Sequence, residues 1–141
     1  MPTTKQTTMT LAFVAMLMTP IAQADEVVVI VNKDNVNVVD RAFVQRVYTG
    51  AIRGWPDGAP TVPLAQPDDS DANELFCTAV LGKSPATVRA IWSQNIFTGK
   101  GLPPKVAATD ADMKRVVAGN KNALGYIHAS QLDVSVKVVA K

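Results

Sequence analysis

Five β-branched residues in a row, Val27-Val-Val-Ile-Val31, are the strongest constraint on what this chain can become. The segment Glu26 to Val31 has neither the 3.6-residue period of a surface helix nor the alternation of a half-buried strand. It reads as a strand covered on both faces. Such a strand obliges the rest of the chain to supply layers on both sides of a sheet.

The segments after it alternate helical patterns with short strand patterns. Asn37 is placed to cap a helix with Asp40 three residues on, Val39, Phe43 and Val47 recur at helical spacing, and Gly50 marks its end. Trp55-Pro-Asp-Gly58 reads as a turn. Thr61 to Ala65 reads as a short strand, with Pro63 pointing to an edge or a strand end. Ala72, Leu75, Phe76, Ala79 and Val80 form one buried helical face closed by Gly82. Ser84 then caps a helix with Pro85 at its first position, where the missing N–H costs nothing. Val88, Ile91 and Trp92, with Asn95 or Ile96, make its inner stripe. Phe97 to Pro104 reads as loop. Thr109 with Asp112 opens another helix, with Met113, Val116 and Val117 inward, and strands are expected at Asn122 to Ile127 and Val134 to Val139. Strands separated by helices predict an α/β fold: a mostly parallel sheet flanked by helices.

The N-terminus has a separate logic. Lys5 is the only charge before Asp25; the apolar run Leu11 to Met18 comes after it, then Pro20 and Ala22-Gln-Ala24. A basic start, a short apolar stretch and a small-x-small site make a secretory signal peptide, residues 1–24, cleaved after Ala24. The apolar run is well short of the ~20 residues that span a bilayer. The expectation is a periplasmic protein with no membrane insertion after signal removal, and one domain over residues 25–141. Without Lys5, 13 basic residues face 12 acidic ones, so nothing suggests a nucleic-acid surface. Cys77 is the single cysteine. It cannot form an intrachain disulfide, and burial as a small hydrophobe is its expected state.

Chemistry is expected where the second strand hands over to a helix, at Gln66-Pro-Asp68-Asp69-Ser70-Asp71-Ala72. Ligands of open α/β sheets bind beyond the carboxyl ends of strands, and a helix N-terminus there attracts anions. The same residues also suffice as a plain helix cap. A calcium loop fails at this place, because Glu74 stands where a glycine is needed and Val80 where a bidentate glutamate is needed. One histidine and one cysteine cannot build a zinc site. No G-x-S-x-G elbow or phosphate-cradling glycine loop occurs, so neither an enzyme nor a cofactor is expected. His128 reads as a half-buried or exposed bystander. Trp92 reads as core, and Trp55, in its turn, as the tryptophan to consider for a surface role.

Taken together, several segments resemble the phosphate-type periplasmic solute-binding proteins of ABC transporters. Tyr48-Thr-Gly50 followed by Trp55-Pro-Asp-Gly58 looks like one landmark of that family. Val62 to Ala65 entering Asp68-Asp-Ser70 looks like the strand and loop where the family holds phosphate. Asn95-Ile-Phe97-Thr-Gly-Lys100 after Trp92, Pro103-Pro104, and Ala123-Leu-Gly-Tyr-Ile127 resemble later landmarks in the same order. The resemblance implies a chain about the size of one lobe of a type II binding protein, whose full-length members close two lobes on the ligand. In the family's phosphate loop, approximately Arg-x-Asp-x-Ser-Gly-Thr, Asp68 and Ser70 match. Gln66 stands in place of the arginine, and Asp71 and Ala72 in place of glycine and threonine. The resemblance thus implies an exported binding module, with phosphate or another small oxyanion as a weakly implied ligand. The alternative is an accessory protein for an envelope sensor or transporter, with a protein partner and no small-molecule ligand.

Overall fold

The computed structural model describes residues 25–140, so the expected signal segment and its cleavage site lie outside the described residues. The chain runs β1 (Val27–Asn32), α1 (Arg41–Tyr48), β2 (Val62–Ala65), α2 (Asp71–Leu75) continuing as a π-helical segment (Phe76–Leu81), α3 (Pro85–Phe97), β3 (Lys105–Val106), α4 (Asp110–Gly119), β4 (Ala123–His128), a 3₁₀ turn (Ala129–Gln131) and β5 (Val136–Ala140). The five strands form one sheet in the order β3-β2-β4-β1-β5.

All six residues of β1 are buried, because β1 lies inside the sheet with β4 on one side and β5 on the other. Its odd-numbered valines, Val27, Val29 and Val31, pack with Val44 and Val47 of α1 and with Phe76. Its even-numbered Val28 and Ile30 pack with Met113 and Val117 of α4. The period-two alternation of a strand thus feeds two separate cores. On the α4 side the approach is closest at Gly125, where a Cβ would collide with the Met113 side chain.

The sheet is mixed. β2 pairs parallel with β3 and β4, whereas β1 runs antiparallel to both β4 and β5. Four strands therefore share a direction and β1 opposes them. The apolar run could not reveal this, because burial on both faces reports a strand's position in the sheet and not its direction. β2 is also internal despite Pro63. The proline is accommodated because each ladder of β2 spans two residue pairs, and the edge is the two-residue β3.

Most helix ends are local affairs and form at the expected residues. Ser84 accepts a hydrogen bond from the Thr87 amide, with Pro85 at the first position, and Thr109 accepts from the Asp112 amide. Gly82 ends the π-helical segment at φ 66°, a left-handed conformation that suits glycine. Helix α1 differs: Asp40 caps it by accepting from the Phe43 amide. Asn37 instead ties Asn35 to Asp57. The π-helical segment shifts the buried face, so Cys77 and Leu81 are buried with Phe76 and Val80 while Ala79 is exposed. Burial raises the Cys77 thiol pKa to about 11, leaving it protonated.

The two tryptophans exchange their expected roles. Trp55 is 3% exposed, stacks on Phe43 with ring centroids 5.4 Å apart, and donates its indole N–H to the Asn122 carbonyl at 3.0 Å. Trp92 is only partly buried, as is the rest of its stripe, and no residue of α3 is fully buried.

Candidate functional site

Because β2 and β4 are adjacent and parallel, their carboxyl ends open on the same side of the sheet. Two helices begin there. Helix α2 starts beyond β2 with Ser70 as its cap and Asp71 as its first residue. Helix α4 starts with Thr109 as its cap and Asp110 as its first residue. Both first residues are acidic, which suits the partial positive charge of a helix N-terminus.

His128, the last residue of β4, bridges the two. Its Nδ1 lies 2.8 Å from one Asp110 carboxylate oxygen and its Nε2 3.1 Å from an Asp71 carboxylate oxygen. The Asp110 and His128 side chains are 16% and 20% exposed, while that of Asp71 is 74% exposed. Burial pulls the Asp110 carboxyl upward, but hydrogen bonds from His128 and Gln66 outweigh it and hold its pKa below the ordinary value. The hydrogen bond to Asp110 raises the His128 pKa against partial burial, with Asp71 adding to the rise. The imidazole is thus biased toward its charged form. With the two carboxylates on opposite ring nitrogens, the three groups cannot converge on one metal ion.

Gln66 is 4% exposed and points inward. Its amide nitrogen donates to Asp110 at 2.6 Å and to the Tyr126 carbonyl at 3.1 Å. Its backbone N–H donates to the Tyr126 hydroxyl at 2.9 Å, which also accepts from Asn73 at 2.9 Å. Burial raises the Tyr126 hydroxyl pKa to about 12, so the phenol stays neutral. Ser70 donates its hydroxyl to the Pro67 carbonyl at 2.6 Å and accepts from the Asn73 amide at 3.1 Å.

Of the six residues singled out from the sequence, Gln66, Ser70 and Asp71 are brought into this corner. Ala72 is buried beneath it, and Asp68 and Asp69 are on the loop, Asp69 exposed and Asp68 nearer the adjoining groove. The residues that sequence reasoning missed are Asp110 and His128, together with Tyr126 and Asn73 as supports. His128 is no bystander: it is the bridge. The available signal was positional, since both Asp110 and His128 stand where a strand ends or a helix begins.

No protein-family model matches the sequence, and no curated protein matches it. Solved structures do match. One, from Clostridium perfringens, is assigned as a phosphate ABC transporter substrate-binding protein and holds bound phosphate. It superposes with a TM-score of 0.64 at 25% identity, over 82% of this chain and 44% of its own. An ABC-type phosphate transport receptor from Vibrio cholerae gives a TM-score of 0.62 at 21% identity, over 82% and 45%. PstS from Borrelia burgdorferi gives 0.61 at 10% identity, over 82% and 47%. The chain resembles one lobe of a phosphate-type substrate-binding protein. It spans less than half the length of each of these structures. A helix N-terminus favours a negative charge, and at the strand-end corner that charge is the protein's own carboxylates.

Proposed function

We propose that this chain is an exported binding module of the phosphate-type fold that does not capture free phosphate at its strand-end corner and acts instead through interaction with another molecule. One observation carries the reading: the side-chain donors of the corner are spent inside the protein. Both amide protons of Gln66 and the hydroxyl proton of Ser70 already have acceptors. A phosphate dianion in a sheltered site needs charge-assisted donors, and Gln66 offers none. Asp71 adds a like charge, which its exposure to solvent limits to a repulsion of about 1 kcal/mol or less. The helix terminus returns ~0.3–1 kcal/mol at surface exposure. The two nearly cancel, and the missing charge-assisted donors decide. Spent donors also favour the accessory, protein-binding reading over capture of another small oxyanion at the same place.

Isothermal titration of the protein with inorganic phosphate tests the reading. The expected dissociation constant is weaker than about 1 mM, roughly −4 kcal/mol; a micromolar constant would refute it. The triple variant Gln66→Arg, Asp71→Gly, Ala72→Thr supplies a cation and removes the acid. It should gain phosphate affinity that weakens with salt. Export is checked by N-terminal sequencing of the protein recovered from periplasm, expected to begin at Asp25, with residues 25–141 forming a single domain.

A further inference from the structure

Beside the corner lies a groove of about 300 Å³. One wall is α3, through Val88, Arg89 and Trp92; the other is Pro103, Pro104 and Val106; the floor includes Phe76, Cys77 and Tyr126. Both walls are held in place. On α3, the Trp92 indole N–H donates to the Tyr48 carbonyl at 2.9 Å, and the Asn95 amide donates to the Thr49 carbonyl at 3.0 Å. Val106 pairs with Ala65 across the β2–β3 ladder, so the two enter the groove from the same face of the sheet.

Two charged side chains line this apolar recess, and their signs are opposite: Asp68 from the loop after β2 and Arg89 from α3. They do not pair with each other, and neither forms an ion pair with any other group among the described residues. Burial is the main cause of the raised Cys77 pKa, but Asp68 adds to the rise and Arg89 opposes it. Both charges thus act on one point of the floor. Their backbones are fixed as well. Ser70 closes the turn that carries Asp68, donating its backbone N–H and its hydroxyl to the Pro67 carbonyl at 2.9 and 2.6 Å, and Arg89 is part of the tethered helix.

Each feature narrows the occupant. A purely apolar molecule would strip water from Asp68 and Arg89 and return nothing. A molecule of one sign would meet one of them and be repelled by the other. A space of about 300 Å³ is at the small end of ligand pockets, so both signs must come on one small molecule. We infer that the groove binds a zwitterion, an α-amino acid with a large apolar side chain. Its ammonium meets Asp68, its carboxylate meets Arg89, and its side chain lies against Trp92, Phe76 and Tyr126. Ammonium and carboxylate on one carbon match two charges that act on one point, and the single side chain takes the apolar remainder. The assignment rests on the reading of the chain as a module that binds something other than phosphate, and it concerns a place where the spent donors of the corner have no bearing.

Isothermal titration of the whole protein with L-phenylalanine is the test, and saturable binding is expected. Phenethylamine lacks the carboxylate and phenylacetate lacks the ammonium; each should bind about three- to fivefold more weakly, the share an exposed ion pair contributes. Asp68→Asn and Arg89→Gln should each weaken phenylalanine by a similar factor. Asp68→Asn should not weaken phenylacetate, and Arg89→Gln should not weaken phenethylamine, which closes the cycle on each pair. Both side chains are exposed, so unchanged urea midpoints will show that the variants remain folded. Tryptophan emission should change on binding and cease to change in Trp92→Phe, because Trp55 is buried outside the groove. No binding of phenylalanine, or binding that ignores both variants, overturns the inference. So does binding of N-acetylphenylalaninamide as tight as that of phenylalanine, which would make the groove a seat for an apolar protein segment. Micromolar phosphate affinity that survives Arg89→Gln would sink the closed-corner reading alone and leave the groove standing.

Discussion

The strand-end corner and the α3 groove share a wall, yet they are built on opposite principles. Asn73 and Tyr126 belong to both: they line the groove, and their side chains hydrogen-bond each other at 2.9 Å behind it. On the corner side the chain answers its own polar groups, with His128 closing Asp71 to Asp110 and Gln66 closing β2 to β4. On the groove side, Asp68 and Arg89 make no side-chain hydrogen bond or ion pair among the described residues, and apolar side chains are left half open. Saturation contributes stability and leaves nothing to offer a ligand. An unsaturated surface costs stability and keeps its capacity to bind. In this molecule the strand-end corner has gone to stability, and the neighbouring helix has been left unsaturated.

The sharpest way to break that contrast is to remove a tryptophan from each regime. Trp55 belongs to the closed part of the molecule, so Trp55→Ala should cost about 3–5 kcal/mol, transfer and cavity terms together. Trp92 faces the groove. Water fills the space it leaves, so the cavity term drops out. The remainder is about half of the ~200 Å² an aromatic ring buries, at ~25 cal/mol per Å², or about 2.5 kcal/mol. Urea melts of the two variants will rank them. If Trp92→Ala is the costlier, α3 is part of the core and the groove is closed.

A smaller loss is expected at the shared wall. Tyr126→Phe removes one hydroxyl and leaves the Gln66 backbone N–H and the Asn73 amide without that acceptor. Leaving a buried donor unsatisfied costs about 1–3 kcal/mol. The ring of Tyr126, stacked on Phe76 with centroids 3.9 Å apart, is kept, so the loss reads the polar bond and not the packing. A loss below about 0.5 kcal/mol in urea melts would mean that water replaces the hydroxyl and that the wall is wet from the groove side.

The legibility of each region depends on the range over which its interactions act. The capping roles of Ser70, Ser84 and Thr109 and the stop at Gly82 are decided within four residues, and the sequence displays them. The covered strand β1 was equally plain, since its composition states its burial. Direction was not, because the pairing partners of β1 lie about a hundred residues away in β4 and β5. Trp55 and Trp92 were misplaced for a related reason. A Trp-Pro-Asp-Gly turn looks exposed locally, and only the return of Asn122 to the indole N–H buries it. Half of the corner was visible: Gln66, Ser70 and Asp71 come directly after one strand. The other half, Asp110 and His128, joins it only through the parallel pairing of β2 with β4, which no local pattern encodes.

The smallest effect should come from the charge on the bridge itself, and the chain makes it clean to measure because His128 is its only histidine. The His128 pKa is raised in the folded protein by its hydrogen bond to Asp110, with Asp71 contributing. A raised histidine pKa means the folded state binds the proton more tightly, so the stabilisation is fully present below the unfolded value of about 6.5. It is lost as pH rises through the folded value. Asp110 has the opposite sign: its lowered pKa gives stability that is present above about 4 and lost in more acidic solution. The bridge is therefore strongest between about pH 4 and 6.5. Because Asp71 is largely exposed, screening limits its share of the decline above that window to about 1 kcal/mol or less. Urea midpoints taken from about pH 5.5 to 8.5, a range spanning the ordinary histidine value, should fall gently in the wild type and stay flat in His128→Gln. Asp71→Asn should retain most of the slope, since Asp110 is the closer and more buried partner. A wild-type midpoint that rises over this range would mean that the imidazole is held neutral, and that Asp71 is free to meet something other than His128.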